Sequence, residues 1–162
     1  MATLLSKNFT LEELTDSAVA KRNGIKNQPS AKYTGNLRNL AVQILQPVRN
    51  AWGRPIVVSS GYRSLALNTK IGGALSSDHC FGCAADIHTV ENTPEENRKL
   101  WALIISMCMD GRIKTKQVIN EYGFSWIHVS WQDGRSQKQN QFLDAKRVLG
   151  KTQYVISNTD IL

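Results

Sequence analysis

The sequence predicts a single α+β domain in which a mainly antiparallel sheet is flanked by helices. Helix-like and strand-like segments are mixed along the chain without strict alternation, which favours this class over a regular succession of βαβ units. A length of 162 residues fits one core, and 41% hydrophobic and 20% charged residues are ordinary for a globular protein. We assign residues 1–136 to the domain and the mostly polar residues 137–162 to a C-terminal extension.

Two helix signals lie in the first third of the chain. A capping box formed by Thr10 and Glu13 predicts a short helix that continues through Ala20. Apolar residues that recur every three or four positions over residues 37–52 predict a second helix with one buried face. Pro47 should bend this helix or end its regular part, because proline lacks the amide donor and crowds the preceding turn.

The remainder of the domain combines one long helix with strands. Thr93 and Pro94 have the capping and first-turn chemistry that opens a helix, which we expect to end near Gly111. The extension carries one possible strand at residues 154–156. Four strands are predicted within the domain, at residues 56–60, 84–88, 117–121 and 126–131.

Charge and cysteine content limit the classes of partner. A net charge of +7 should attract polyanions such as nucleic acid, acidic lipid or an anionic cell wall, but charge alone does not choose among them. We find no nucleic-acid recognition motif, no apolar run long enough for a membrane span and no secretory signal, so we expect synthesis to end in the cytoplasm. Three cysteines, an odd number, favour reduced thiols over a disulfide framework.

The strongest functional signal is a set of metal-ligand residues. His79 and Asp86 share one short segment, and His128 follows 42 positions after Asp86. Two histidines and one carboxylate from separate segments are typical of a catalytic zinc site whose fourth position stays open for water. The sequence therefore predicts a Zn²⁺ centre and favours hydrolysis.

Two alternatives involve neighbouring residues. His88 lies two positions after Asp86 and would face the same side of a strand, although a structural role is the better interpretation. Cys80 and Cys83 have the spacing of a zinc knuckle, but the usual second pair of ligands is missing, so we interpret them as small buried hydrophobic residues.

These residues carry a resemblance to a known family. Three segments carry it: the box of residues 77–86, with serine, histidine, glycine, alanine and aspartate at fixed positions, the later Trp126-x-His128, and the upstream residues 60–64. Together they resemble the peptidoglycan-cleaving zinc peptidases, which include D-Ala-D-Ala carboxypeptidases and L-alanyl-D-glutamate endopeptidases. Hedgehog signalling domains share this metal scaffold. The resemblance implies a hedgehog/DD-peptidase-like fold, with His79, Asp86 and His128 as the zinc ligands and a peptidoglycan stem peptide as the substrate.

The general base departs from part of the family pattern. Many members carry an acidic residue three positions before the last histidine, where this chain has Ser125, and a hydroxyl cannot replace a carboxylate as the base. Glu121 is our candidate, as in the hedgehog-like arrangement. If Glu121 pairs with Trp126 across an antiparallel hairpin, His128 is its diagonal neighbour on the same face. The alternative is a glutamate that is merely solvated at the end of the hairpin.

The resemblance also implies a substrate clamp. Arg63 would bind an acidic group of the stem peptide and Ser77 would add a polar contact, whereas the alternative for Arg63 is a structural role. We expect a monomer that acts on the anionic cell wall, either as a phage or prophage lysin released through a membrane pore or as part of a phage particle. The competing hypothesis is a non-catalytic zinc module for wall binding or phage assembly.

Overall fold

A computed structural model describes residues 1–159 of the chain and has the predicted α+β architecture. A six-stranded sheet is covered on one face by helices. The helices are α1 (Leu11–Thr15), α2 (Ala18–Arg22), α3 (Ala31–Leu40), α4 (Gln46–Trp52), α5 (Leu65–Lys70) and α6 (Pro94–Met109). The strands are β1 (Ile56–Ser60), β2 (Ala84–Thr89), β3 (Gln117–Glu121), β4 (Trp126–Ser130), β5 (Gln141–Val148) and β6 (Lys151–Ile156).

The first helix is shorter than predicted. Thr10 does cap it, since its hydroxyl accepts from the amide of Glu13 at 3.1 Å. However, Asp16 is extended and the hydroxyl of Ser17 accepts from the amide of Ala20 at 3.2 Å, so a new helix begins there. The prediction of one continuous helix through Ala20 was wrong because this second capping residue interrupts the backbone hydrogen-bond ladder.

The second helix contains the irregularity expected at Pro47. Residues Ala41–Leu45 form a π-helical turn between α3 and α4, and the amide of Gln46 bonds back to the carbonyl of Ala41. The wider turn immediately before Pro47 relieves the crowding that a proline ring imposes on a regular helix. The helix remains continuous, and its buried residues belong to the main core.

The sheet has the strand order β1-β2-β4-β3-β5-β6. All neighbouring strands are antiparallel except β3 and β5, which are parallel. The four strands predicted in the domain are confirmed, as is the possible strand at residues 154–156, which lies within β6. Within residues 1–159, no helix has both the length and the apolar character that crossing a lipid bilayer requires.

The two faces of the sheet have different roles. Alternate residues of the central strands, such as Ile87 and Ile127, are fully buried against the helices in the main core. The residues between them, including Asp86 and His128, point to the opposite face. On that face, Ile119, Leu143 and Ala145 form a second, smaller apolar cluster. The sheet therefore separates a helix-covered core from a face that carries polar chemistry.

Residues beyond the predicted domain boundary at residue 136 continue this sheet. Strand β5 pairs with the whole length of β3, from Gln117 opposite Gln141 to Glu121 opposite Ala145. Leu143 and Ala145 are buried. The division into residues 1–136 and residues 137–162 stays a prediction, and residues 160–162 lie outside the described part of the chain.

Candidate metal centre and active site

Three side chains predicted as zinc ligands converge on the polar face of the sheet. Asp86 on β2 and His128 on β4 are directly opposite each other in the antiparallel register. His79 comes from the short 3₁₀ helix Asp78–Phe81 that precedes β2. All three are buried, with 2%, 7% and 9% exposure for His79, Asp86 and His128. Residues far apart in sequence thus meet at one point.

The donor atoms form a nearly equilateral triangle. His79 Nε2 lies 3.2 Å from Asp86 Oδ1 and 3.2 Å from His128 Nδ1, and the latter two atoms are 3.0 Å apart. Four ligands at zinc bond lengths of about 2.0–2.1 Å, arranged tetrahedrally, are separated by roughly 3.3 Å. The triangle therefore fits three corners of a zinc coordination sphere and leaves one corner for water or substrate.

Hydrogen bonds fix the orientation of His79. Its Nδ1 lies 2.7 Å from the carbonyl oxygen of Gly61, which can only accept, so Nδ1 carries the proton and Nε2 presents a lone pair. Burial lowers the pKa of His79 and keeps the ring neutral, as a metal ligand must be. Gly61 itself has no room for a side chain, because a Cβ there would lie 2.2 Å from the carbonyl oxygen of Leu14.

A second glycine allows the turn between His79 and β2. Gly82 has a φ of +69°, and a Cβ would lie 2.5 Å from the carbonyl oxygen of Tyr33. The left-handed turn at Gly82 ends the 3₁₀ helix and leads the chain into β2, where Asp86 follows.

Arg63 supports the metal centre through Asp86. Its Nη2 donates to Asp86 Oδ2 at 2.9 Å, and its Nε donates to the hydroxyl of Ser60 at 3.0 Å. Although burial opposes ionisation, the charges and hydrogen bonds of His79 and His128 hold the pKa of Asp86 well below its usual value. The guanidinium of Arg63 forms an ion pair with the same carboxylate. Arg63 thus holds Oδ2, while Oδ1 faces the two imidazoles.

An ion-pair network that the sequence did not predict holds the segment before His79. The buried carboxylate of Asp78 accepts from Lys116 Nζ at 2.8 and 2.9 Å and from Arg135 Nη2 at 2.9 Å. Arg135 also stacks on Phe81, with its guanidinium carbon 3.7 Å from the ring centroid. The position of Asp78 inside the sequence box is the only sequence signal for this support.

Glu121 lies in the position predicted for a general base. It ends β3 and pairs with Trp126, while Ile119 pairs with His128, so the predicted register is confirmed. The side chain is 8% exposed and lines the same cavity as the three metal-ligand residues. Burial raises the pKa of Glu121 to about 7, although the positive charges of His128 and Arg63 act in the opposite direction.

Ser125, in contrast, lies away from this cavity. It is exposed in the turn between β3 and β4, and its hydroxyl donates to the carbonyl of Tyr122 at 3.0 Å. Because it precedes β4, it is not part of the strand face that presents His128. The structure therefore separates the two positions considered for the base.

The alternative ligands do not join the cluster. His88 Nδ1 lies 2.7 Å from the carbonyl oxygen of Thr89, and the metal-type cluster within residues 1–159 contains only His79, Asp86 and His128. Cys80 and Cys83 are free thiols. Burial raises the pKa of Cys83 to about 12, so in the metal-free protein it is a neutral thiol. The structural interpretations of His88 and Cys83 fit these contacts.

The cavity over the site is large and mixed in character. Its volume is about 910 Å³, which suits a peptide of several residues. Arg63, Ser77 and Lys116 line it on one side, and residues of β5 and β6 line it on the other. Ser77 is half-buried and caps the start of the 3₁₀ helix. The two residues predicted to bind substrate therefore share the cavity with the metal-type cluster.

Comparison with known proteins agrees with this geometry. The family model described as Peptidase M15 matches residues 7–130, which is most of the chain. A 44-residue segment is 48% identical to a zinc D-Ala-D-Ala carboxypeptidase of Streptomyces albus G, covering 26% of this chain. The match spans only 17% of the length of that relative. The family predicted from the sequence is confirmed, and the chain belongs to the M15 peptidase family.

Proposed function

We propose that the chain is a zinc-dependent peptidase that cleaves peptidoglycan stem peptides, either as an endopeptidase or as a D,D-carboxypeptidase. One observation carries the proposal. The potential metal-binding atoms of His79, Asp86 and His128 lie within 3.2 Å of one another and share a cavity with the carboxyl group of Glu121, whose pKa is raised. Membership of the M15 family and the activity for which the matched relative is named support the substrate class.

His79, Asp86 and His128 would hold the zinc ion, with Arg63 fixing the outer oxygen of Asp86. When bound, zinc polarises a scissile carbonyl and lowers the pKa of water. The protein contributes a neutral nitrogen from His79, held by the carbonyl of Gly61, and a carboxylate whose second oxygen is neutralised. Such outer contacts orient the ligands and tune their basicity.

Glu121 is the proposed proton carrier. As a carboxylate it accepts a proton from the attacking water, and as a carboxylic acid it returns that proton to the leaving amine. A pKa of about 7 suits both directions near neutral pH, because transfer is most efficient when the pKa lies close to the working pH. Its strand position opposite Trp126 keeps it beside the face that presents His128.

Arg63 and Ser77 are proposed to contact the substrate from one wall of the cavity. Arg63 has 16% side-chain exposure and already binds Asp86, so we assign it two roles: supporting the metal ligand and offering its remaining donors to an acidic group of the peptide. The net charge of +7 suits attraction to an anionic cell wall.

For the biological setting, we propose a phage or prophage lysin, or a phage-particle component, that acts on the wall as a monomer. Residues 1–136 would form the peptidase domain. Sedimentation analysis of the purified protein tests the monomer, and lysis of cells after co-expression with a pore-forming protein tests the release route.

Digestion of purified peptidoglycan tests the function itself. We expect zinc-dependent release of new amino or carboxyl termini, and mass spectrometry of the muropeptides identifies the bond that is cut. Glu121→Gln should retain about one zinc per chain while turnover falls at least a hundredfold, the scale of a positioned acid or base. Glu95→Gln, at an exposed position of α6, is the matched control and should match wild type. Binding to the wall without new termini would instead support the non-catalytic module.

A further inference from the structure

The hairpin formed by β5 and β6 lies beyond the family match, which ends at residue 130, yet it borders the proposed active site. Glu121 pairs with Ala145 across β3 and β5, and Ala145 pairs with Tyr154 across β5 and β6. Residues paired across neighbouring strands face the same side of a sheet. Glu121, Ala145 and Tyr154 therefore form one row on the face that carries the metal-type cluster.

Tyr154 can reach towards Glu121 because the residue between them is small. Ala145 is 1% exposed and fills little space above β5, whereas Tyr154 is 55% exposed and lines the same cavity as Glu121. Burial raises the pKa of Tyr154, and the negative charges of Glu121 and Asp86 act in the same direction. The phenol therefore stays protonated and offers a hydrogen-bond donor to whatever occupies the cavity.

Arg147 is the next residue of β5 on this face. It pairs with Thr152, and its guanidinium carbon lies 5.7 Å from the centroid of the Tyr122 ring. The hydroxyl groups of Tyr122 and Thr152 are 2.7 Å apart, which holds the ring in place. A guanidinium that lies over an aromatic ring keeps its N–H edge available for a planar acceptor.

Within residues 1–159, no carboxylate oxygen lies within 4.0 Å of the guanidinium of Arg147. Arg63, in contrast, forms an ion pair with Asp86. Both arginines line the cavity. Arg147 is two residues beyond Ala145, which places its Cα about 7 Å along the strand from the row that contains Glu121. This spacing corresponds to about two residues of an extended peptide.

We propose that the β5–β6 hairpin forms a substrate subsite, in which Arg147 binds a free carboxylate of the peptide and Tyr154 donates a hydrogen bond to the peptide between that carboxylate and Glu121. The inference rests on the proposed peptidase function and deepens it. The hairpin makes the enzyme selective for peptides that carry a carboxylate about two residues from the cleaved bond.

Binding to a variant that cannot turn over tests the subsite apart from catalysis. Zinc-loaded Glu121→Gln protein is titrated by calorimetry with a stem tetrapeptide that has free carboxyl groups, and with the same peptide after amidation. Adding Arg147→Gln should weaken binding of the free peptide about tenfold and leave the amide unchanged. Arg147→Lys should give a smaller loss, about threefold, because it retains the charge but not the fork. Tyr154→Phe should weaken both peptides about threefold.

Lys146→Gln is the matched control, because Lys146 lies on the same strand with the same charge but on the opposite face. It should bind both peptides as the parent does. Equal binding by the Arg147→Gln and Lys146→Gln proteins, or equal losses on the free and amidated peptides, would overturn the subsite while leaving the peptidase function intact. Failure of the parent to bind either peptide, together with no digestion by wild type, would overturn both. Circular dichroism verifies that each variant is folded.

Discussion

Removing the charge of Glu121 should change how the stability of the zinc-free protein depends on pH. The carboxyl group has an ordinary pKa of 4.5 and a folded-state pKa of about 7 because it is buried. The folded protein therefore binds this proton more tightly than the unfolded chain does. Stability from Glu121 is fully present below pH 4.5 and is lost as the pH rises to about 7. Glu121→Gln removes this loss.

The size of the effect follows from the two pKa values. Each pKa unit corresponds to about 1.4 kcal/mol, so the difference between 4.5 and about 7 has an upper limit of roughly 3.5 kcal/mol. The carboxylate faces a cavity that water can enter, which screens it, and we therefore expect about 2 kcal/mol. For a domain of this length, about 2 kcal/mol corresponds to a difference of roughly 4–8 °C in Tm.

Urea denaturation of chelator-treated protein at pH 5 and pH 8 measures this linkage. Relative to wild type, Glu121→Gln should gain about 2 kcal/mol more at pH 8 than at pH 5. Both proteins contain the same histidines, so any contribution from these residues cancels to first order. Glu95→Gln is the control and should show the same difference at both pH values. A constant difference between Glu121→Gln and wild type would refute the idea that Glu121 is buried with a raised pKa.

Three further predictions concern the support of the metal centre. Arg63→Gln should weaken zinc binding about 10–100-fold in competition with a chelator, because Asp86 Oδ2 loses its hydrogen bond from Arg63. Arg147→Gln is the control and should leave the zinc affinity unchanged. Equal zinc affinities for wild type and Arg63→Gln would contradict the supporting role of Arg63. Gly82→Ala should lower the free energy of unfolding by about 2–3 kcal/mol, because the added Cβ would lie 2.5 Å from the Tyr33 carbonyl oxygen. Gly123 also has a positive φ but has open space around it, so Gly123→Ala is the control and should lower the free energy of unfolding by about 1 kcal/mol. Similar losses for the two variants would show that the close approach to Tyr33 does not affect stability. The double variant Cys80→Ala/Cys83→Ala should retain about one zinc per chain by elemental analysis, and loss of the metal would instead indicate a thiolate site.

The parts of the fold that the sequence predicted are those with local signals. Capping residues such as Thr10 and Thr93 mark helix starts because their hydroxyls accept from amides three positions later. The pairing of Glu121 with Trp126 follows from a short turn that joins two strands. In both cases the interacting groups are close in sequence, so the pattern contains the necessary information.

The hairpin at the edge of the sheet lacked such signals. The parallel pairing of β3 with β5 depends on a long connection, residues 122–140, that itself includes β4, and no short-range pattern specifies it. Strand β6 is an edge strand whose residues are mostly exposed. Its apolar end, residues 154–156, was predicted as a strand, but no local pattern indicated that it pairs with β5. Arg147 and Tyr154 were therefore not recognised as cavity residues, although alternation along β5 and β6 places them there.

The change of the acidic position from residue 125 to Glu121 has a geometric explanation in the β3–β4 hairpin. Ser125 is an exposed turn residue whose backbone amide donates to the Glu121 carbonyl at 3.0 Å, so it closes the hairpin and does not belong to the face of β4. Trp126 and His128 share that face, and Glu121, which lies opposite Trp126 on β3, is the diagonal neighbour of His128 there. A base at Glu121 thus keeps the metal ligands on β2 and β4 unchanged. It also places the carboxylate one strand nearer to β5 and β6, as the substrate subsite proposed for that hairpin requires.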